Sequence, residues 1–511
     1  MVTRPDMPVV VLSHRGPVSF RKERSGRTVR RGSGGLVTAL VGLAGELDDA
    51  VWVCSTVTDE DAAVAHERGG AVPVLMEAQP RVVEEGETPD GPTLDVRMVD
   101  VDHGAHDDFY TVISNPLLWF VQHGLYGLAT APCITQRERD AYEDGYVKVN
   151  EAFADAVVQE VRDRGGKALV MLHDYHFYLV AERVRQQCPD AVLTHFVHIP
   201  WPGPDAWRVL PPEMRDPLLR GLLGNDVVAF HTKRFARNFL LCAQEILELP
   251  VDLERMTVKV GDRTVAARSY PISIDVDALT DLAASDRVGV LAAELEEQFT
   301  AHDGQLVVRI DRTDPSKNIV RGFLAFETLL QQHPEHVGKA TFLAILQPSR
   351  QDVPEYSDYI GFIGSVVARV NSQYARTSYT PIDLRLQEDL PLAVAAYSVC
   401  DALMVNSVAD GMNLVAKEAV TVSRRDGVLL LSESAGAHEE LGEHAVTVHP
   451  FDVQQMADAL HEALTMDADE RRRRREAAAD VVRRNDVRNW LEAQIRDLVD
   501  LTALGTRPSD V

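Results

Sequence analysis

Short, wholly apolar runs separated by helix-length stretches recur along this chain, and no other feature restricts its fold as strongly. Val9-Val10-Val11-Leu12, Ala50-Val51-Trp52-Val53-Cys54, Ala168-Leu169-Val170-Met171-Leu172 and the runs at 191–197 and 226–230 carry almost no polar alternation. Strands of that kind are buried on both faces, as strands inside a parallel sheet are. Helical patterns at 149–161 and 233–247 fall between them, so the first half reads as a mostly parallel sheet with helices on both faces. The alternation pauses around Pro271-Ile272-Ser273-Ile274-Asp275 and a helical stretch ending near Ala301. It resumes with runs at 306–310, 340–346, 382–385, 402–405, 428–431 and 445–448. Two doubly wound α/β halves facing a cleft are predicted, with the break near 271 and no fixed-period repeat.

Composition narrows the function classes. A chain of 511 residues can bury two substantial cores. A formal charge of −26 speaks against sequence-independent nucleic-acid binding and against docking on anionic membranes. An anionic substrate then has to be caught by local Arg and Lys clusters. No apolar run reaches membrane-spanning length, and Met1 through Asp6 lead into a strand without a signal-peptide pattern. The five cysteines are dispersed and form no CxxC pair, which fits reduced thiols in the cytoplasm. Small-molecule substrates are the expected partners, with no nucleic acid and no membrane; homo-oligomerisation is left open. The arginine run 471–475 reads as a solvated helix face beside Glu470 and Glu476.

The densest chemistry follows the run 306–310. Arg312-Thr313-Asp314-Pro315-Ser316-Lys317-Asn318 sets two cations on the loop at a strand's carboxyl edge. Open α/β sheets bind ligands at that edge, and paired cations suit a leaving diphosphate. After the run 402–405, Asp410-Gly411-Met412-Asn413-Leu414-Val415-Ala416-Lys417-Glu418 opens a helix. Its first N–H groups can hold a sugar or phosphate, and Glu418 can grip a ribose. In the first half, His173-Asp174-Tyr175-His176 follows a strand. His173 reads equally as a partner for a sugar hydroxyl and as a buried histidine satisfied by a backbone carbonyl. His198-Ile199-Pro200-Trp201-Pro202 forms a rigid loop at the same edge. The pairs Asp100/Asp102 and Asp275/Asp277 lack a phosphate-binding context, so no metal and no other cofactor is expected. The segment from His14 to Gly35 reads as a mobile loop whose cations mostly serve solvation. Within it Gly34 and Gly35 make an anion cradle before a helix, and Arg15 is placed for a phosphate. Arg350 holds the equivalent place in the second half, so one guanidinium from each half clamps a phosphate.

Taken in order, these residues resemble the trehalose-6-phosphate synthases, which are retaining glucosyltransferases. The likeness runs from Ser13-His14-Arg15-Gly16-Pro17 to Arg484-Asn485-Asp486-Val487. It is carried by Ser33-Gly34-Gly35-Leu36-Val37-Thr38-Ala39-Leu40, His173-Asp174-Tyr175, His198-Ile199-Pro200, Pro348-Ser349-Arg350 and residues 410–418. The resemblance implies a GT-B type fold, with an acceptor-binding Rossmann-like domain over 1–270 and a nucleotide-sugar-binding one over 271–485. It also implies a C-terminal helix, 486–511, packing back on the first. Arg312, Lys317, His173 and Asp410 are the implied catalytic set, the first two on the donor diphosphate and His173 facing the transferred glucose. Asp410 and the backbone of Gly411, Met412, Asn413 and Leu414 are implied glucose ligands, Glu418 a ribose ligand, and Gly34 and Gly35 a donor loop. Arg15, Tyr110, Trp119 and Arg350 match positions that hold glucose 6-phosphate. Retention would follow an internal-return path, in which an oxygen of the leaving phosphate takes the acceptor proton.

Departures from the family pattern shape the expected substrate. Where the family's donor loop carries an aromatic residue and ends in Lys-Gly, Pro315 and Asn318 stand here, and Asn406-Ser407 precede Asp410. Both traits are similar to the validoxylamine-phosphate synthases, which use GDP-linked donors. GDP-glucose is therefore favoured over UDP-glucose, and coupling of a nucleotide-linked cyclitol to an aminocyclitol phosphate is the alternative. Gly145 stands where the family has an acidic acceptor ligand, with Asp144 beside it as the substitute. A degenerate, regulatory relative would have lost its donor ligands, yet Arg312, Lys317 and Glu418 are all present.

Overall fold

The computed structural model describes residues 7–23, 26–32, 49–76, 79–83, 87 and 89–503, with side chains through 498 except that of 302. By its internal contacts the chain divides into two compact units, Met1–Tyr270 with Leu491–Val511, and Pro271–Trp490. Each is a Rossmann-like α/β layer structure.

The first unit is built on an eleven-stranded sheet. Its centre is parallel, with Val227–Phe230, Val192–Phe196, Leu169–His173, Val9–Leu12, Ala50–Ser55 and Thr93–Val99 adjacent in that order. Val9 through Leu12 are at most 1% exposed, as a strand covered on both faces must be. Arg263–Ser269 extends the sheet in parallel. Antiparallel ribbons, Val251–Asp252 with Thr257–Val260 and Val72–Leu75 with Arg81–Val82, finish the two edges.

The cationic stretch after the first strand, expected to be a mobile loop, is largely a hairpin of Val18–Glu23 against Gly26–Arg31. Phe20 is fully buried and its N–H donates to Asp61 Oδ1 at 2.6 Å, which seats the hairpin on the helix Asp59–Arg68. Arg27 reaches Glu60 at 2.7 Å and Glu67 at 2.8 Å on that helix, so at least this cation has a specific partner. Gly34, Gly35 and the helix expected from Leu36 lie outside the described residues.

The second unit holds a six-stranded, wholly parallel sheet. Its order is Ile382–Leu386, Ala340–Gln347, Gln305–Arg312, Ala402–Val405, Val428–Ser432 and Val446–Val448. Phe323, Phe326 and Leu329 on the helix Ile319–Gln332 join Met456 and Leu460 on Val453–Thr465 in one core over Phe342 and Met404. Each such side chain contributes about 1.5–3 kcal/mol by leaving water.

In both sheets the strand the chain lays down first has later strands on either side. Val9–Leu12 lies between Ala50–Ser55 and Leu169–His173, and Gln305–Arg312 between Ala340–Gln347 and Ala402–Val405. Loops leaving such neighbours diverge and open a crevice at the carboxyl ends. His14, Arg15 and residues 173–176 follow the first pair, and residues 312–317 the second. The two Asp-x-Asp pairs are elsewhere. Asp102 caps the helix His103–Asp107 by accepting from the N–H groups of Gly104 and Ala105, and Asp275 caps Val276–Ala283. Among the described residues no helix is long and apolar enough to cross a membrane.

Candidate active site

Gln305–Arg312 delivers Arg312 as its last residue, half exposed, and the tight turn Pro315–Lys317 follows. Arg312 Nε donates to Asp314 Oδ2 at 3.0 Å, and Asp314 is fully buried. Burial alone would raise that carboxyl, but Arg312, Arg350 and Lys317 outweigh it and hold it well below the usual range. Lys317 Nζ donates to Asp410 Oδ2 at 2.5 Å. Burial would depress the ammonium, yet Asp410 and Asp311 more than compensate and raise its pKa. Asp410 Oδ2 also accepts from Asn413 Nδ2 at 3.0 Å and from Ser407 Oγ at 3.2 Å. Arg350, at φ 48°, donates to the Tyr356 hydroxyl at 2.6 Å. Cations held in this way can stabilise negative charge as it develops on a departing diphosphate.

The glycine loop is held by its own backbone. Gly436 N–H donates to Asp410 O at 3.1 Å and Ala437 N–H to Met412 O at 2.8 Å. A Cβ on Gly436 would lie 2.0 Å from Gly411 O, so only glycine allows this approach. Met412 is buried and Asn413 takes φ 75°, after which the helix Leu414–Val422 begins without a side-chain cap among the described residues. Glu418 lies on that helix. Burial raises its carboxyl, and the Tyr397 hydroxyl, donating to Oε2 at 3.1 Å, offsets part of the rise.

Sequence reading passed over Arg309, taking 306–310 as a plain apolar strand. The side chain is fully buried and donates to Asp311 Oδ2 at 2.9 Å, Lys317 O at 2.7 Å and Asn406 Oδ1 at 2.5 Å. A guanidinium inside a strand survives burial only when it is paired and its donors are engaged. One charge inside an apolar run, just ahead of a basic loop, was the signal available. Asn318 sits at φ 59° and donates through Nδ2 to Asn406 O at 2.9 Å and Pro450 O at 2.6 Å. Asn406 Nδ2 returns a bond to Asn318 O at 3.2 Å. Asn318 is 2% exposed and Asn406 0%, so these two of the four residues taken as marks of a GDP donor are interior scaffold, while Pro315 is partly exposed and Ser407 bonds Asp410. Asparagine is one of the few residues besides glycine that take this left-handed conformation readily.

At the carboxyl edge of the first sheet the groups are rings. His14 stacks 4.8 Å from His176 and 4.9 Å from Tyr110, with His106 at 5.5 Å. His173 is buried, and its Nδ1 faces His198 Nε2 at 3.1 Å, so its partner there is an imidazole and not a backbone carbonyl. Its Nε2 has no hydrogen-bond partner among the described residues. Burial, with His195 close by, pushes its pKa down to about 3, and the ring stays neutral. Asp174 links the loops, taking φ 72° and ψ 174° while its carbonyl accepts from His195 Nε2 at 3.0 Å. That backbone region costs a non-glycine residue about 1–3 kcal/mol, and such strain collects at functional sites.

The other expected acceptor residues scatter. Tyr110, on the π-helical stretch Asp108–Leu118, joins the ring stack. Trp119 is 2% exposed and stacks on His123 at 3.8 Å, while Arg15 is exposed. Asp144 is 62% exposed and pairs with Lys148 at 2.5 Å. A Cβ on Gly145 would lie 2.6 Å from Asp108 Cβ and 2.8 Å from Phe109 N. The stretches Asp108–Leu118 and Ala141–Val147 thus pack too closely for an acidic side chain at 145.

The sequence profile of glycosyltransferase family 20 matches residues 7–500. The chain is 33% identical to the UDP-forming alpha,alpha-trehalose-phosphate synthase 2 of Aspergillus niger, over 91% of either protein. It spans 62% of the length of two longer relatives, the UDP-forming synthase A of Dictyostelium discoideum (31% identical over 96% of this chain) and the bifunctional trehalose-6-phosphate synthase/phosphatase of Thermoproteus tenax (34% over 95%). Among solved structures, a Burkholderia xenovorans UDP-forming synthase in complex with glucose-6-phosphate superposes with a TM-score of 0.78 at 28% identity, covering 96% of this chain and 99% of that one. A trehalose-6-phosphate structure from E. coli bound with UDP-2-fluoro glucose gives 0.79 at 27%, covering 96% and 98%. The fold is GT-B, with two Rossmann-like α/β units. The same likenesses overturn the preference for GDP-glucose and the cyclitol-coupling alternative, since these synthases are named as UDP-forming. Burial of Asn318 and Asn406 gives a physical reason for those two residues: their side chains are engaged with each other's backbone in the interior.

Proposed function

The chain belongs to glycosyltransferase family 20 and is a retaining glycosyltransferase; we propose that it transfers glucose from UDP-glucose to glucose 6-phosphate, forming α,α-trehalose 6-phosphate and UDP. The observation that carries this reading is the loop where Arg312 and Lys317 stand at a sheet's switch point beside Asp410. In it the second unit is the donor side and the first the acceptor side. Arg312 and Lys317 take up the charge released as the bond from the anomeric carbon to phosphate oxygen breaks. Asp410, relieved of Lys317, and the N–H groups at 411–414 hold glucose hydroxyls, and Glu418 holds the ribose. His173 Nε2, neutral and without a hydrogen-bond partner among the described residues, faces the transferred sugar. The acceptor hydroxyl attacks from the face the diphosphate vacates, and a phosphate oxygen of UDP takes its proton, so configuration is retained. Arg15, Tyr110, Trp119 and Arg350 are assigned to the acceptor phosphate, and Gly34 and Gly35 to the donor. Asp144 serves the acceptor only after leaving Lys148.

The test is nucleotide release with glucose 6-phosphate, comparing UDP-glucose with GDP-glucose, and identification of the product by NMR. UDP release with formation of the α,α-linked disaccharide phosphate is expected, faster than with GDP-glucose. No turnover with UDP-glucose overturns the reading.

A further inference from the structure

Tyr397 lies on the helix Leu390–Val399, whose buried residues include Leu392, Val394, Ala396 and Val399, and is itself 1% exposed. A tyrosine hydroxyl in such surroundings needs a partner. It has one: the hydroxyl donates to Glu418 Oε2 at 3.1 Å. Glu418 Oε1 has no hydrogen-bond partner among the described residues. The neighbouring cation is turned away, since Lys417 Nζ is engaged with Ile272 O at 2.9 Å and with Glu440 at 2.6 Å. Asp311, a further carboxylate acting on Tyr397, is paired with Arg309. Lys417 and Arg309 are therefore spent on other partners, and the tyrosine hydroxyl is the neighbour that favours an ionised Glu418.

We propose that Tyr397 is a positioning residue for donor binding, pinning one oxygen of Glu418 so that the other meets the ribose hydroxyls of a nucleoside diphosphate sugar. The inference rests on the reading of Glu418 as the ribose ligand and extends it to a residue that does not touch the substrate. Burial keeps Tyr397 protonated, hence a donor, and pushes the Glu418 carboxyl up. Removing the hydroxyl takes away a bond that favours the ionised form, so the pKa of Glu418 rises further. The ribose grip, which needs the carboxylate, then fades at a higher pH in the variant than in the parent.

The experiment is calorimetric binding of UDP and of 2′,3′-dideoxyuridine diphosphate to the full-length parent and to Tyr397→Phe, at pH 6 and pH 8, with thermal melts of both proteins. The parent is expected to prefer UDP by about tenfold or more, as a site built for hydroxyls does. Tyr397→Phe is expected to weaken UDP by about three- to tenfold, more at pH 6 than at pH 8, and to leave the dideoxy compound unchanged. Equal weakening of both nucleotides would mark a merely structural tyrosine and overturn the inference, as would unchanged UDP binding. A parent that binds both nucleotides equally removes the ribose role of Glu418 and the inference with it. A parent that binds neither nucleotide tells instead against the donor reading of the whole site.

Discussion

At the carboxyl edge of the first sheet, beside Arg15 and Asp174, stand the rings of His14, Tyr110, His173, His176 and His198. The edge of the second carries Arg312 with Asp314, Lys317 with Asp410 and Arg309 with Asp311. Both sheets are doubly wound and both place these groups at a switch point, so architecture does not distinguish them. Chemistry does. Neutral imidazoles and phenols can exchange hydrogen bonds with an uncharged sugar without meeting a charge, whereas a diphosphate needs cations, and cations inside a fold need carboxylates to hold them until the ligand arrives. In a chain of net charge −26, cations grouped at one such edge supply a local field that the overall charge does not.

The largest effect that would break this contrast lies in the second unit. Arg309→Met leaves Asp311 buried without its cation and is expected to cost about 3–5 kcal/mol of stability, read by denaturant unfolding of the whole chain. A loss near zero would mean that the ion pairs there are decoration. Next in size, Arg312→Ala should lower kcat/KM by about two orders of magnitude or more, close to 2.7 kcal/mol in the transition state. Near-parental rates in that variant would move the diphosphate elsewhere.

A smaller effect concerns acid. His173 and His195 are buried and pushed down to about 3 and about 4, chiefly by desolvation. The unfolded chain, with histidine near pKa 6.5, then binds more protons than the native one, so stability falls as pH drops from about 6.5 towards 3–4. At pH 5 each such histidine is expected to have withdrawn about 2 kcal/mol. The Asp314 carboxyl, held low, keeps its contribution to more acid pH. Thermal melts at pH 7.5 and pH 5 check this, and an unchanged Tm would contradict neutral buried rings. Smallest of all, Asn318→Gly retains the left-handed turn and should leave the rate ratio of UDP-glucose to GDP-glucose within about twofold. A large swing in that ratio would return donor choice to the loop.

The central strands were legible because residues such as Val9-Val10-Val11-Leu12 and Ala402-Leu403-Met404-Val405 are apolar on both faces, which no surface strand can be. The edge ribbons were missed because two-residue pairings such as Val251–Asp252 leave no period to count. Thr93–Val99 did leave one, with Leu94, Val96 and Met98 turned inward. The hairpin Val18–Glu23 with Gly26–Arg31 hid behind its cations, one of which, Arg27, has partners on Asp59–Arg68 that are distant in sequence. In the candidate site, a residue's place after a strand could be read, but its orientation could not. Asn318 and Asn406 looked like ligand-facing variants until each was seen closing on the other's backbone. Gly145 likewise looked like a lost carboxylate, when the approach of a second helical stretch leaves no room for one.

That asparagine exchange has a consequence for descent. Replacing Asn318 alone takes the donor from the buried carbonyls of Asn406 and Pro450, and replacing Asn406 alone takes an acceptor from the buried Arg309 guanidinium, each costing about 1–3 kcal/mol. A lineage can leave this arrangement only by a paired change or by passing through a weakened intermediate. The two positions are therefore expected to be inherited together among descendants of this chain, and their identities to record ancestry more faithfully than the sugar nucleotide consumed.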